Sequence, residues 1–360
     1  MQNKILLAVL LALLPLSFAS AIGWRKDGNE INALNRRLCG RVLDYTANHG
    51  CDNRIFARSM WQRRDLYVYL PPHYNPNHRY PLIIFLHGFA ADEQMFLKVA
   101  PKVDEAINSG HMPPAIIAAP DGSIKGEPSL HQPASFFINS DAGDFENWVL
   151  NDVWDFMNSH FPIRPEREAH MLAGVSMGGG AAFDLGIRNR DCFGLVAGIF
   201  PPLNLRWIDC DGNYMGKFNP HRWAWRDHIT HPHEPVAVFA AGAVKIRLSH
   251  LIEPLFGQGD QAIVEISRHN PIELIDRTRL RNGDLEMFVA YGGKDEFNID
   301  AQVESFLYLA KHRGLGVHVI YDPQGHHDAA TASKMMPHLM EWLAPRLAPY
   351  SPPLEYIARK

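Results

Sequence analysis

Long apolar runs are nearly absent from this 360-residue chain, and the one that exists stands at its start. Ile5 to Phe18 spans fourteen residues, short of the about 20 that cross a bilayer comfortably. No later stretch approaches that length, so no membrane span is expected in the mature chain. Lys4 precedes the run and the small residues Ala19-Ser20-Ala21 follow it, the form of a cleavable leader over 1–21. The expectation is an exported chain, secreted or periplasmic, that begins near Ile22; the alternative is an uncleaved anchor. Blocks of Lys or Arg are missing as well. With a net charge of −4 and no basic stretch to track a phosphate backbone, nucleic acid is not an expected partner. Cysteine is scarce: four residues, which in an exported chain suggest two disulfides. Sequence proximity favours Cys39–Cys51 and Cys192–Cys210 over the other connectivities, the alternative being four buried thiols. No internal repeat, low-complexity tract or polar linker divides the chain.

What is present is a 46% hydrophobic composition arranged as short β-rich runs. Asp65 to Leu70 alternates and ends at Pro71-Pro72, which suggests an antiparallel strand at the near edge of a sheet. The runs Pro81 to Gly88, Ala115 to Gly122, His170 to Ser176, Leu195 to Phe200, Glu286 to Gly293 and Gly316 to Pro323 fit strands covered on both faces. Helical stretches lie between them, at Glu93 to Ser109, Phe145 to His160, Gly178 to Asn189 and Ala301 to Arg313. Such alternation predicts a mostly parallel twisted sheet with helices on both faces, an α/β fold. Residues 201–281 break the rhythm. Rich in Pro, His and Trp, they read as an insertion over the carboxyl ends of the strands, where open parallel sheets bind ligands. The expected organisation is therefore a leader over 1–21, an N-terminal segment with a cysteine pair over 22–63, and one domain over 64–350.

The stretch Gly174-Val175-Ser176-Met177-Gly178 falls between an expected strand and an expected helix. That is the setting of a nucleophile elbow, in which a sharp turn pushes the serine hydroxyl out above the sheet. Side chains at Gly174 or Gly178 would collide where the two arms meet. A serine needs a base, and the base an orienting carboxylate, in the order Ser, acid, His. Asp295, in YGGKDEFN, and His326 and His327, in YDPQGHHDAAT, follow the last two strands. Asp295 is favoured over its neighbour Glu296, and His327 over the runner-up His326. The second oxyanion donor should come from the loop after the first buried strand, where Gly88 allows the N–H of Phe89 to point inward beside that of Met177. His87 reads as a packing residue that holds this loop. Trp207, Trp223 and Trp225 offer a possible aromatic platform for a substrate, or simply pack the insertion down. The histidines of HITHPHEP (His228, His231, His233) lack one-face helical spacing and read as a surface loop, so no metal site is expected.

These residues resemble the α/β-hydrolase superfamily, and within it the esterases that include feruloyl and acetylxylan esterases, enterochelin esterases and mycolyltransferases. DLYVYLPPHYNPNHRYPLIIFLHGF, AAPDGS, SFFINSDAGDFENWVLNDV, GVSMGG, GGKDEFN and GHHD carry the resemblance, from Arg64 to Trp342. It implies acyl transfer from an ester through a Ser-Asp-His triad, without metal or organic cofactor. The expected substrate is a small-molecule or oligosaccharide ester, carbohydrate- or aryl-linked. An acyltransferase or peptidase on the same triad, or a non-catalytic binding protein on the fold, are the alternatives.

Overall fold

The computed structural model describes residues 29–127, 135–239 and 244–353; the expected leader lies outside them. Eight strands form the main sheet: β1 (Arg41–Tyr45), β2 (Leu66–Leu70), β3 (Leu82–Leu86), β4 (Ile116–Pro120), β5 (His170–Val175), β6 (Leu195–Ile199), β7 (Glu286–Gly292) and β8 (His318–Asp322). Their spatial order is β1-β2-β4-β3-β5-β6-β7-β8. From β4 onward every pairing is parallel, while β2 is antiparallel to both β1 and β4. The antiparallel strand expected at the edge is thus one place inside it. The edge is β1, whose single buried residue, Val42, gives the sequence RVLDY little apolar signature.

Continuous apolar runs become the inner strands because both faces are covered. Every residue of β4 and β6 is buried. β8 departs from that expectation, with Val319 and Tyr321 37% and 49% exposed, since it lies at the rim of the covering helices. α1 (Phe96–Asn108) follows β3, α2 (Trp154–His160) precedes β5, and α3 (Met177–Arg188) follows it. In β5, side chains alternate between faces. Leu172 points toward α3, where a Cβ on Gly186 would sit 3.9 Å from its Cδ1. Met171 and Ala173 face the opposite side, which α1 shares with the last long helix.

The stretch 201–281 builds two hairpins, Trp207–Asp209 with Trp223–Trp225 and Pro235–Phe239 with Val244–Arg247, then α4 (Leu248–Phe256), α5 (Gly259–Arg268) and α6 (Pro271–Arg277). It has its own small core, including Val236, Leu248, Ile252, Phe256 and Ile266. α7 (Ile299–His312) and α8 (Ala329–Leu347) complete the layers, with Phe183 of α3 edge-on to Phe306 of α7. Among the described residues, no helix is long and apolar enough to cross a membrane.

The expected disulfides are a correction: Cys39, Cys51, Cys192 and Cys210 are all exposed free thiols. Proximity in sequence is not proximity in space here. Cys39 precedes β1 and Cys51 follows it, as Cys192 and Cys210 stand on either side of β6. A five-residue strand spans about 16 Å, whereas a disulfide needs Cα atoms within about 7 Å.

Candidate active site

The turn between β5 and α3 gives the site its shape. Ser176 has φ 54° and ψ −121°, a backbone conformation that few non-glycine residues adopt, and it serves as the N-cap of α3. Such strain persists only where the surroundings enforce it. They do so through close approach: a Cβ on Gly174 would lie 2.3 Å from the Gly178 carbonyl carbon, and one on Gly178 would lie 2.1 Å from the Leu86 oxygen. Both contacts are with backbone, which cannot swing aside. Gly178→Ala is therefore expected to cost about 3 kcal/mol or more of stability, read as a lower urea midpoint with an unchanged slope. Retention of the wild-type midpoint would contradict this packing.

The carboxyl ends of β7 and β8 bring the other groups to the serine. His327 Nε2 lies 2.9 Å from Ser176 Oγ, and His327 Nδ1 lies 2.7 Å from Asp295 Oδ2. A carboxylate only accepts, so Nδ1–H donates to Asp295 and Nε2 is left to accept from the serine hydroxyl. Asp295 is itself fixed by the Phe297 N–H, which donates to its Oδ1 at 2.9 Å. The rings of Phe200 and Phe297 flank the imidazole, with centroids 4.9 and 4.7 Å away. The insertion braces the same loop: Asn298 Nδ2 donates to the Tyr214 and Gly216 carbonyls, and the Tyr214 hydroxyl donates to the Phe297 carbonyl.

His326 points elsewhere. Its side chain is 49% exposed and its Nδ1 meets Glu296 Oε1 at 2.7 Å. Glu296 Oε2 also accepts from the His327 N–H at 2.9 Å, so one carboxylate ties the loop after β7 to both histidines. Sequence reasoning had weighed Glu296 only as a rival to Asp295. Its part as a clamp depends on a register between two loops that the local sequence does not display.

The loop after β3 passes directly beside the serine, where a Cβ on Gly88 would sit 3.6 Å from Ser176 Cβ. Met177, as the first helical residue, has an N–H with no acceptor inside its helix. Buried His87 donates through Nδ1 to the Gly88 carbonyl at 2.9 Å, while its Nε2 accepts from the Gly122 N–H at 2.8 Å. The Gly88 carbonyl and the Phe89 N–H belong to one peptide plane, so fixing the first orients the second. Burial, the largest influence, holds the His87 pKa below its ordinary value, which suits this neutral two-bond role. The loop after β4 is held in turn by buried Arg64, whose Nη2 donates to Asp121 Oδ2 at 2.5 Å, and by Trp148 Nε1, which donates to the Asp121 carbonyl at 2.9 Å.

A group of buried acids lies under this loop. Burial pushes Asp65 up to about 6 and Asp92 up to about 7, and it raises Glu93 well above the usual range, with Asp92, Asp121 and Asp65 adding repulsion. The folded protein binds these protons more tightly than the unfolded chain. Their contribution to stability is therefore complete below the unfolded value near about 4; for Asp65 and Asp92 it is lost as pH rises through about 6 and about 7, and Glu93 follows in the same direction. Glu93→Gln keeps the acceptor for Asn48 Nδ2, which lies 2.5 Å from Glu93 Oε1, but cannot ionise. The variant is expected to match the wild type at pH 4 and to be the more stable of the two at pH 8, where the wild-type acid cluster carries more charge, measured by denaturation at both. Equal stability at pH 8 would contradict it.

The tryptophans do not meet the serine. Trp207 is fully buried and donates through Nε1 to the Tyr214 carbonyl; Trp223 stacks beside it with Trp225 edge-on to Trp223, and none of the three lines the cleft around Ser176. They pack the insertion onto the sheet. Among the described residues, no group of His, Cys, Asp and Glu is arranged to hold a metal ion.

Comparison with known proteins agrees with this architecture. A ferulic acid esterase superposes with a TM-score of 0.62 at 17% identity, over 86% of this chain and 99% of its own. The fluorophosphonate-binding serine hydrolase F of Staphylococcus aureus gives 0.61 at 15% identity, over 85% and 98%. The S-formylglutathione hydrolase of the same organism gives 0.57 at 15% identity, over 85% and 98%. At these identities the likeness establishes a shared fold. The model of the esterase family, described as "Putative esterase", matches residues 57–335, well over half of the chain. The chain thus belongs to this family of carboxylic ester hydrolases, on an α/β-hydrolase fold.

Proposed function

We propose that the chain is an exported serine esterase in which Ser176 is the nucleophile, His327 the base and Asp295 its orienting partner. The observation that carries this reading is the unbroken Asp295–His327–Ser176 hydrogen-bond relay, 2.7 and 2.9 Å long. Ser176 Oγ attacks the ester carbonyl as His327 Nε2 takes its proton, and Asp295 stabilises the imidazolium. The carbonyl oxygen, now negative, lies between the N–H groups of Met177 and Phe89, each worth about 3 kcal/mol to the transition state. Collapse breaks the ester C–O bond, and the alcohol departs with the proton from His327. Water then repeats the sequence on the acyl-serine, releases the acid and restores the hydroxyl.

The substrate is a carbohydrate- or aryl-linked carboxylic ester. Support comes from the solved neighbour named a ferulic acid esterase and from an open cleft beside the serine. A common acyl-enzyme makes a specific prediction. When methanol competes with water, the ratio of methyl ester to free acid is the same for a p-nitrophenyl and a phenyl ester of one acid. A ratio that changes with the leaving group would argue against the intermediate. Transfer to a sugar hydroxyl that outruns hydrolysis at low acceptor concentration would identify an acyltransferase instead.

A further inference from the structure

The cleft does not stop at the serine. The cavity that includes Ser176 and His327 has a volume of about 560 Å³. Its head is formed by Gly88, Phe89, Ser176, Phe200 and His327, and its far end by Ile83, Met112, Ile117, Met171 and Leu343. Met171 stands at the opposite end of β5 from the serine, about 16 Å of extended chain away. One wall is α8, where Ala332, Met336, Leu339 and Met340 face the cavity at the three- and four-residue spacing of a single helix face. Val99 and Val103 of α1, with Lys98 and Lys102, form the other. Lys102 Nζ donates to Ser333 Oγ and links the two helices.

We propose that this trench receives an extended aliphatic acyl chain, so that the preferred substrates are long-chain carboxylic esters with their carbonyl at Ser176. The inference rests on the serine-nucleophile reading and changes only the acyl group in the steps above. Three features select this occupant. The trench is continuous with the serine, so whatever fills it joins the reacting carbonyl. Its floor of Ile83, Phe85, Ile117, Met171 and Ala173 carries no hydrogen-bonding side chain, and the polar residues of the lining, Asp92, Gln94, Lys98, Lys102, Asp328 and Ser333, belong to the helical walls and their caps, so a phenolic hydroxyl against the floor would be costly to bury unpaired. Its methionines, Met112, Met171, Met336 and Met340, are unbranched and adapt their shape to a flexible chain. Each carbon of an extended chain advances about 1.3 Å, the projection of a carbon–carbon bond of about 1.5 Å. The trench therefore accepts about a dozen carbons.

The test is a series of p-nitrophenyl esters from acetyl to hexadecanoyl, kept below their aggregation limits, with the full chain. Expected is a kcat/KM that climbs a few-fold per methylene to an optimum near about twelve carbons, at least about 100-fold above acetyl. Met336→Trp and Met340→Trp block the trench at two depths. Each should lower the dodecanoyl-to-acetyl ratio by about 30-fold or more. The four-residue offset, about 6 Å of helix, should place the optimum of Met336→Trp about four or five carbons shorter than that of Met340→Trp. These ratios come from one preparation and do not depend on the fraction folded. A wild-type profile that is flat or falls from acetyl would overturn the inference, as would two tryptophans that leave the ratio unchanged; either would mean that another occupant fills the trench. A wild type that hydrolyses acetyl but prefers no longer chain leaves the nucleophile reading standing. One that hydrolyses no ester removes that reading, and this inference with it.

Discussion

Ser176→Ala is expected to lower kcat for p-nitrophenyl acetate by about 10⁵- to 10⁶-fold, while the protein stays folded. On the proposed mechanism the oxygen removed is the atom that forms the covalent bond, so no neighbouring group can substitute for it. Alanine suits the site sterically, because the Cβ is retained and the strained turn is enforced by the glycines around it. Urea denaturation should therefore show little loss of stability. Residual hydrolysis of about 10³-fold over water is expected from the oxyanion donors alone. A variant with more than about a tenth of wild-type kcat, where a loss of 10⁵ is expected, would mean that the turn is only structural.

The second large effect separates two adjacent histidines. His327→Ala should lose about 10⁵- to 10⁶-fold in kcat, since His327 alone touches both Ser176 and Asp295. His326→Ala should lose less than about 10-fold, because its imidazole is half exposed and bonds Glu296 rather than Ser176 or Asp295. Combining His327→Ala with Ser176→Ala should be no worse than either alone, since groups that act as a unit are not additive. The measurement is kcat at saturating p-nitrophenyl acetate for the three single variants and the pair. Equal losses for the two histidines would contradict the geometry, and so would a multiplicative loss in the pair.

Much of this arrangement was legible in the chain. Inner parallel strands announce themselves as unbroken apolar runs, because both of their faces are buried, and β3 to β7 all do so. The elbow was legible because its glycines are required by backbone contacts under 2.5 Å, which no other residue tolerates. Ser176, Asp295 and His327 could be proposed together because each follows the carboxyl end of a strand. β1 was missed for the converse reason: an antiparallel edge strand with one buried side chain carries no periodic signal. Glu296 was illegible in its role, and His87, though read as holding its loop, was illegible in its partner Gly122, since these contacts come from loops distant in sequence. The cysteines misled, whereas the tryptophans left two readings open. Aromatic composition does not say which face a ring will choose, and Trp207 chose the interior. Sequence spacing of cysteines ignores the rigid strand between them, and all four remain free.

The central claim is that Ser176 Oγ is the atom that attacks the ester. Its most direct test is to treat the protein with a fluorophosphonate and locate the adduct by peptide mass spectrometry. The account predicts one adduct per chain, on Ser176, formed in step with loss of esterase activity and absent from Ser176→Ala. Activity lost with the adduct on another residue, or activity retained with Ser176 fully labelled, would contradict it.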